Sequence, residues 1–156
     1  MDGTFTFAQG IPYFTVSIGL LKNDKPILGV INHIGFKNLY WAQKGSGAFL
    51  NGKKIQVSKK KGLDEAAGNL ELGLKQKRQA KLDSYINRLI TKISYSYQLG
   101  SSAVTLALVA EGNLDLYVSE AYLWDFVAGA VIVKEAGGKV TDFEGKEPDW
   151  TKERLS

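Results

Sequence analysis

The chain predicts a layered α/β fold, with an antiparallel strand meander over residues 1–62 and strands alternating with helices over 63–156. Three observations carry this. Tyr13, Thr15, Ser17 and Gly19 alternate with Phe14, Val16, Ile18 and Leu20, the period-two pattern of a strand. Asn51-Gly52 separates Ala48-Phe49-Leu50 from Ile55-Gln56-Val57, a strong two-residue hairpin signal. From Gln76 to Lys92 the period changes, placing Leu82, Ile86, Leu89 and Ile93 at helical spacing among good helix formers.

The remaining elements follow in order. Asn23-Asp24 reads as a turn, Pro26 opens the next strand, Ile27–Ile31 continues it, and Leu39–Ala42 makes a third. Residues 94–99 form a strand. Ser101 or Ser102 caps a helix over 103–110, which Gly112-Asn113 ends. Residues 115–118 are a short strand, 125–136 an apolar helix left through Gly137-Gly138, and Val140-Thr141-Asp142 a further strand. Strand and helix in alternation argue for stacked layers, and no repeat or linker divides the chain into separate domains.

At 156 residues, 44% hydrophobic and 23% charged, the composition is that of an ordinary globular domain. No apolar run approaches the ~18 residues of a membrane span, and Met1-Asp2-Gly3-Thr4 opens no signal peptide. Cysteine is absent, which excludes disulfides and thiolate chemistry and makes a reducing cytoplasm the expected compartment. Residues 53–92 hold eleven Lys/Arg against four Asp/Glu. Without interleaved aromatics this reads as a solvated turn and helix face, not a nucleic-acid surface.

His33, the sole histidine, ends a strand pattern and is read as structural; Tyr40 and Trp41 are core or sheet-surface aromatics. Asp125 stands at the first turn of its helix, where unpaired backbone N–H groups favour a carboxylate. Gly129 within that helix is unfavourable unless another backbone approaches closely, and Trp124 is expected to anchor Asp125 by packing.

Several separated motifs then occur in one order. Trp124-Asp125-Phe126-Val127-Ala128-Gly129, with Glu135-Ala136-Gly137-Gly138 and Val140-Thr141-Asp142, resembles the C-terminal signature of the inositol monophosphatase family. Asp2-Gly3-Thr4 resembles the tail of that family's Asp-Pro-(Ile/Leu)-Asp-Gly-Thr motif. Gly45-Ser46-Gly47-Ala48-Phe49, Asn51-Gly52 and Gly100-Ser101-Ser102-Ala103 also fit. The resemblance covers essentially the whole chain.

It implies a sugar-phosphatase-like fold and Mg²⁺-dependent hydrolysis of a small phosphomonoester. Asp2 and Asp125 would share one Mg²⁺, and Met1 would lend a backbone carbonyl to another. Asp2 and Thr4 would be catalytic, with the Thr4 hydroxyl orienting the attacking water. Gly3, Thr4, Gly100, Ser101, Ser102 and Asp125 would contact substrate. Glu120 is a further candidate, since the family's acidic residue before Trp-Asp falls out of register here. Mg²⁺ requires hard oxygen ligands, which fits this set.

The family's leading Asp and paired Glu residues would lie before Met1, and its members continue beyond Lys152-Glu153-Arg154-Leu155-Ser156. The chain therefore reads as a member shortened at both ends and impaired when alone. Inositol monophosphate is the first expected substrate, with a 3′-nucleotide or sugar bisphosphate as the others. The alternative is a non-catalytic remnant acting with a partner chain, as a homodimer or with a complementing N-terminal fragment.

Overall fold

The structure, a computed structural model, describes residues 1–73 and 75–155; Leu74 and the final Ser156 of the closing segment lie outside them. Five antiparallel strands form the first sheet in sequential order: β1 (Thr15–Lys22), β2 (Lys25–His33), β3 (Asn38–Gln43), β4 (Gly47–Leu50) and β5 (Lys53–Ile55). Two of its turns are two-residue loops with positive φ at both positions, Asn23-Asp24 (50° and 56°) and Asn51-Gly52 (48° and 80°). That backbone twist matches the flanking strands, and Asn, Asp and Gly tolerate it best. The meander is therefore as the sequence predicts.

The second half is built around β6 (Ala67–Leu70), with β7 (Tyr95–Tyr97) and β8 (Leu116–Val118) parallel to it on either side. The crossover from β6 to β7 is helical: α2 (Lys75–Lys81), a π-helical turn Leu82–Ile86, and α3 (Asn87–Ile90). The predicted single helix is thus present but carries a π turn. Helix α4 (Ser102–Ala110) precedes β8, and α5 (Leu123–Glu135) follows the short β9 (Ala121–Tyr122), which pairs with β10 (Arg154–Leu155). Among the described residues, no helix is long and apolar enough to cross a membrane.

The predicted strand Val140-Thr141-Asp142 does not form. Asp142 Oδ1 instead accepts the backbone N–H groups of Glu144 (2.9 Å) and Lys146 (2.8 Å). An Asp that satisfies its own following backbone offers a turn in place of a ladder.

Helix α5 lies between the large sheet and α4. Ile31, Tyr40, Ala42 and Ala48 from the sheet, Ala103, Leu106 and Ala107 from α4, and Ala128, Val131 and Ile132 from α5 form the main core. The contact is unusually close. A Cβ on Gly29 would lie 2.2 Å from Ala128 O, and one on Gly129 2.4 Å from Leu106 Cδ1. At Gly129 it is the Leu106 side chain, not a backbone as the sequence suggests, that leaves no room for a Cβ; the backbone approach is at Gly29.

This close approach explains an inversion in β1. The small residues Thr15, Ser17 and Gly19 face α5, whereas Val16, Ile18 and Leu20 are 42%, 57% and 51% exposed on the opposite face. Ile18 is in register with Val30, Val30 with Trp41, and Trp41 with Phe49, and the last two rings stack at 4.5 Å. An apolar row therefore crosses four strands on the face away from α5.

Glu135, at the end of α5, ties helix to sheet: its carboxylate accepts Gly45 N–H and Gly47 N–H, each at 2.8 Å. Glu135→Ala leaves both donors without that acceptor, a loss of about 1–3 kcal/mol. Faster amide hydrogen exchange at Gly45 and Gly47 is the expected measurement. His33 is buried, with Nε2 2.8 Å from Pro12 O, a structural role as predicted.

Candidate active site

The chain's first residues and the start of its fourth helix are stitched together. Asp2 pairs with Thr15 in a two-hydrogen-bond bridge (both N···O 3.0 Å), extending the edge of β1. Gly3 then turns with φ 80°, and a Cβ there would sit 2.5 Å from Tyr13 O, so a side chain is excluded. The chain enters α1 (Thr4–Ala8), a short helix without a sequence signal strong enough to predict it. Thr6, not Thr4, braces the turn by donating Oγ1–H to Gly3 O (2.7 Å) and facing Tyr13 O.

This turn aims the Asp2 carboxylate at the N-terminus of α4. Asp2 Oδ2 accepts the Ser101 hydroxyl at 2.6 Å and the Ala103 N–H at 2.7 Å. Ser101 is the N-cap: its Oγ also accepts Val104 N–H at 3.2 Å. The unpaired N–H groups and dipole of a helix start favour an anion here. Gly100 (φ 72°) makes the turn into the cap, and the Ser102 hydroxyl shares a 2.8 Å hydrogen bond with the Tyr117 phenol.

Asp125 approaches the same place from α5. It is half-buried, and its Oδ2 accepts Tyr122 N–H at 3.3 Å. Desolvation raises its pKa above the usual carboxylate range, and the Asp2 carboxylate adds repulsion; the Tyr122 N–H and the chain's terminal ammonium oppose both. The Asp2 charge thus bears on Asp125 although the two residues lie far apart in sequence.

The sign of this shift gives a prediction. A carboxyl whose folded pKa is raised favours folding most when protonated, and that contribution is lost as pH rises from the unfolded value, 3.8, through the raised folded one. Asp125→Asn keeps an oxygen for Tyr122 N–H and removes the charge. In the absence of divalent cations it should raise the thermal midpoint at neutral pH and leave it little changed below pH ~3; equal shifts at both pH values contradict this.

A cleft of about 650 Å³ opens beside these residues. Asp2, Gly100, Ser101, Ser102 and Glu120 line it, as does Glu71, while Met1, Gly3, Thr4 and Asp125 do not. Thr4 is exposed, and Met1 is 61% exposed. Trp124 does not anchor Asp125. It is 59% exposed and stacks on Tyr122 at 4.6 Å, and Arg154 covers the other ring at 4.7 Å. An N1–N2 position facing outward on a helix buried only from Val127 onward accounts for this.

The sequence reading missed Thr6, Glu71, Tyr117 and Lys81. Tyr117 and Lys81 carried no motif. Lys81 stood in a basic run that resembled a solvated face, yet it is only 6% exposed. Elsewhere in that run Lys60 is paired with Asp115 at 3.1 Å.

Asp2 and Asp125 supply hard oxygen donors of the kind Mg²⁺ requires, and a cation beside Asp125 would offset first the cost of its burial and then the Asp2 repulsion. Among the described residues no group of three or more His, Asp or Glu gathers that could hold a metal. The two carboxylates are thus of the right chemistry for Mg²⁺, but they do not by themselves form a ligand cluster.

Residues 1–156, the whole chain, match the inositol monophosphatase family. A fructose-1,6-bisphosphatase/inositol-1-monophosphatase of Thermotoga maritima is 38% identical over 94% of this chain and 56% of its own length. Inositol monophosphatase 2 of Solanum lycopersicum is 42% identical over the whole chain and 60% of its own length. The crystal structure of the extragenic suppressor protein suhB from Bartonella henselae superposes with a TM-score of 0.90 at 33% identity, covering 99% of this chain and 60% of that one. The chain thus spans a little over half the length of the relatives it matches.

Proposed function

This chain belongs to the inositol monophosphatase family, and from that premise we propose that it contributes the site of a Mg²⁺-dependent hydrolase of small phosphomonoesters. The observation that carries the reading is the Asp2 carboxylate, fixed on the α4 N-terminus and electrostatically coupled to Asp125. Inositol monophosphate is the first substrate; a sugar bisphosphate, named for the Thermotoga maritima relative, and a 3′-nucleotide are the others.

Asp2 and Asp125 would hold one Mg²⁺, and the Met1 carbonyl would serve another. When bound, Mg²⁺ supplies charge stabilisation at the phosphoryl oxygens and lowers the pKa of water. The remaining work falls to the chain. Ser101 and Ala103 fix one Asp2 oxygen and so orient the other. Backbone N–H groups of Gly3, Thr4 and the Gly100–Ser102 turn bind phosphate oxygens at two helix starts. The Thr4 hydroxyl orients the attacking water, and Glu120 contacts substrate hydroxyls.

Two carboxylates bind Mg²⁺ weakly, because it gives up water reluctantly. With Mg²⁺ held this weakly, the 156 residues by themselves should turn over slowly. Phosphate release from inositol 1-phosphate, with and without Mg²⁺, is the test. Slow, Mg²⁺-dependent release that disappears in Asp125→Asn supports the reading; release independent of both contradicts it.

A second reading, association with a partner chain, is favoured by the apolar row Ile18–Val30–Trp41–Phe49 on the outer sheet face. A homodimer or a complementing N-terminal fragment would bury it. The domain reading, one partial phosphatase domain over 1–156, accompanies both.

A further inference from the structure

Ser102 is the first residue of α4 and lines the cleft, while its neighbours Ser101 and Ala103 hold Asp2. A serine in the first turn of a helix ordinarily bonds to nearby backbone. Among the described residues the Ser102 hydroxyl does not; its partner is the Tyr117 phenol of β8, 2.8 Å away. The phenol is the more acidic of the two hydroxyls and so the better donor. When it donates, one lone pair of Ser102 Oγ is filled and the serine's own O–H is left for a ligand.

Tyr117 is held in place by contacts that need no hydroxyl. Its ring stacks on Phe126 of α5 at 5.8 Å, and its backbone pairs with Asn69 of β6. A phenylalanine would satisfy both, so the phenolic oxygen is surplus to packing. That oxygen also lies within the field of the site. Burial raises the Tyr117 pKa, the hydroxyls of Ser102 and Ser119 oppose the shift, and the charges of Glu71 and Asp2, which both line the cleft, add to it. The phenol therefore stays protonated at physiological pH and keeps its donor.

We propose that Tyr117 is a positioning residue, fixing the Ser102 hydroxyl so that it donates to a hydroxyl oxygen in the alcohol part of the substrate. The cleft thereby prefers polyol phosphates to phosphoesters of plain hydrocarbon alcohols. The inference rests on the phosphatase reading, which binds the phosphate through backbone N–H groups, and adds to it a side-chain contact with the alcohol part. A free serine hydroxyl samples three staggered positions, and without the phenol it can turn back to the helix backbone. Tyr117 removes that freedom before the ligand arrives, so less ordering is left to binding.

The test is isothermal titration of the full chain, in Mg²⁺, with inositol 1-phosphate and cyclohexyl phosphate. These ligands share ring and phosphate and differ in the ring hydroxyls. The wild type should prefer inositol 1-phosphate by at least about tenfold, as hydroxyl contacts from Ser102 and Glu120 predict. Tyr117→Phe and Ser102→Ala should each lower that preference by about fivefold. The double variant should lose no more than either single one, because both act through one contact. Tyr117→Phe keeps the stacked ring and Ser102→Ala places a good helix former in α4, so each serves as the test should the other not fold. A wild type without preference, a preference unchanged in either variant (as when a packing defect weakens both ligands alike), or multiplied losses in the double variant overturns the positioning role and leaves the phosphatase reading standing. Binding of neither ligand by the wild type removes both.

Discussion

Asp2→Ala is expected to destabilise the fold by about 2 kcal/mol and to abolish any response of its stability to Mg²⁺. The argument starts from two contacts made by one oxygen, the Ser101 hydroxyl at 2.6 Å and the Ala103 N–H at 2.7 Å. Each is charge-assisted and worth more than a neutral hydrogen bond. Losing them leaves Ala103 N–H unpaired at a helix start and frees the first strand edge from α4. Relief of repulsion with Asp125 offsets part of the cost. Asp2→Asn, which retains one acceptor oxygen, should cost about half as much, yet lose the Mg²⁺ response equally. Urea midpoints with and without Mg²⁺ measure both effects. An Asp2→Ala protein as stable and as Mg²⁺-responsive as the wild type would remove the proposed role of this carboxylate.

Gly29→Val carries the largest structural penalty. A Cβ at Gly29 would meet Ala128 O at 2.2 Å, Ala128 C at 2.8 Å and Ala128 Cα at 2.9 Å. All three are backbone atoms of α5, so no side-chain rotation makes room. Overpacking costs typically ~1–3 kcal/mol for smaller insertions, and a β-branched residue against a helix backbone should reach at least about 3 kcal/mol. That is a large fraction of the stability of an ordinary domain. Displacement of α5 also moves Asp125, so the Asp2–Asp125 coupling should weaken with the fold. A Gly29→Val protein with an unchanged urea midpoint would show that sheet and helix are not held at this distance.

How much of this was legible in the sequence depends on whether local chemistry or tertiary contact decided each element. The Asn23-Asp24 and Asn51-Gly52 turns were legible because few residues adopt their backbone conformation. Helices α4 and α5 were legible from long apolar runs and, for α4, a serine cap. Strand β6 was missed: Ala67-Gly68-Asn69-Leu70 has poor strand propensity and forms because partners lie on both sides. Its buried Asn69 donates Nδ2–H to Thr105 Oγ1 at 3.0 Å, a long-range contact no window reveals.

The same division runs through the site. Asp2, Ser101 and Asp125 stood in motifs; Asp2 and Ser101 meet in a hydrogen bond, and the Asp2 charge bears on Asp125. Lys81 and Tyr117 did not, and became visible only when α2 lined the cleft and β8 brought the Tyr117 phenol to Ser102. The facing of β1 was also hidden, because periodicity reports which residues share a face but not which face α5 needs to be small. Trp124 fails for a related reason: large and apolar suggests burial, but its position precedes the buried part of α5.

The central claim is that two carboxylates from distant parts of the chain converge on one divalent cation. Titrating the full chain with Mn²⁺ and following paramagnetic broadening by NMR tests it most directly. Resonances of residues 1–4 and 123–126 should broaden together with one midpoint, and either Asp2→Asn or Asp125→Asn should abolish both effects. Broadening of the two segments at separate midpoints, or broadening of one that survives loss of the other's carboxylate, would contradict it.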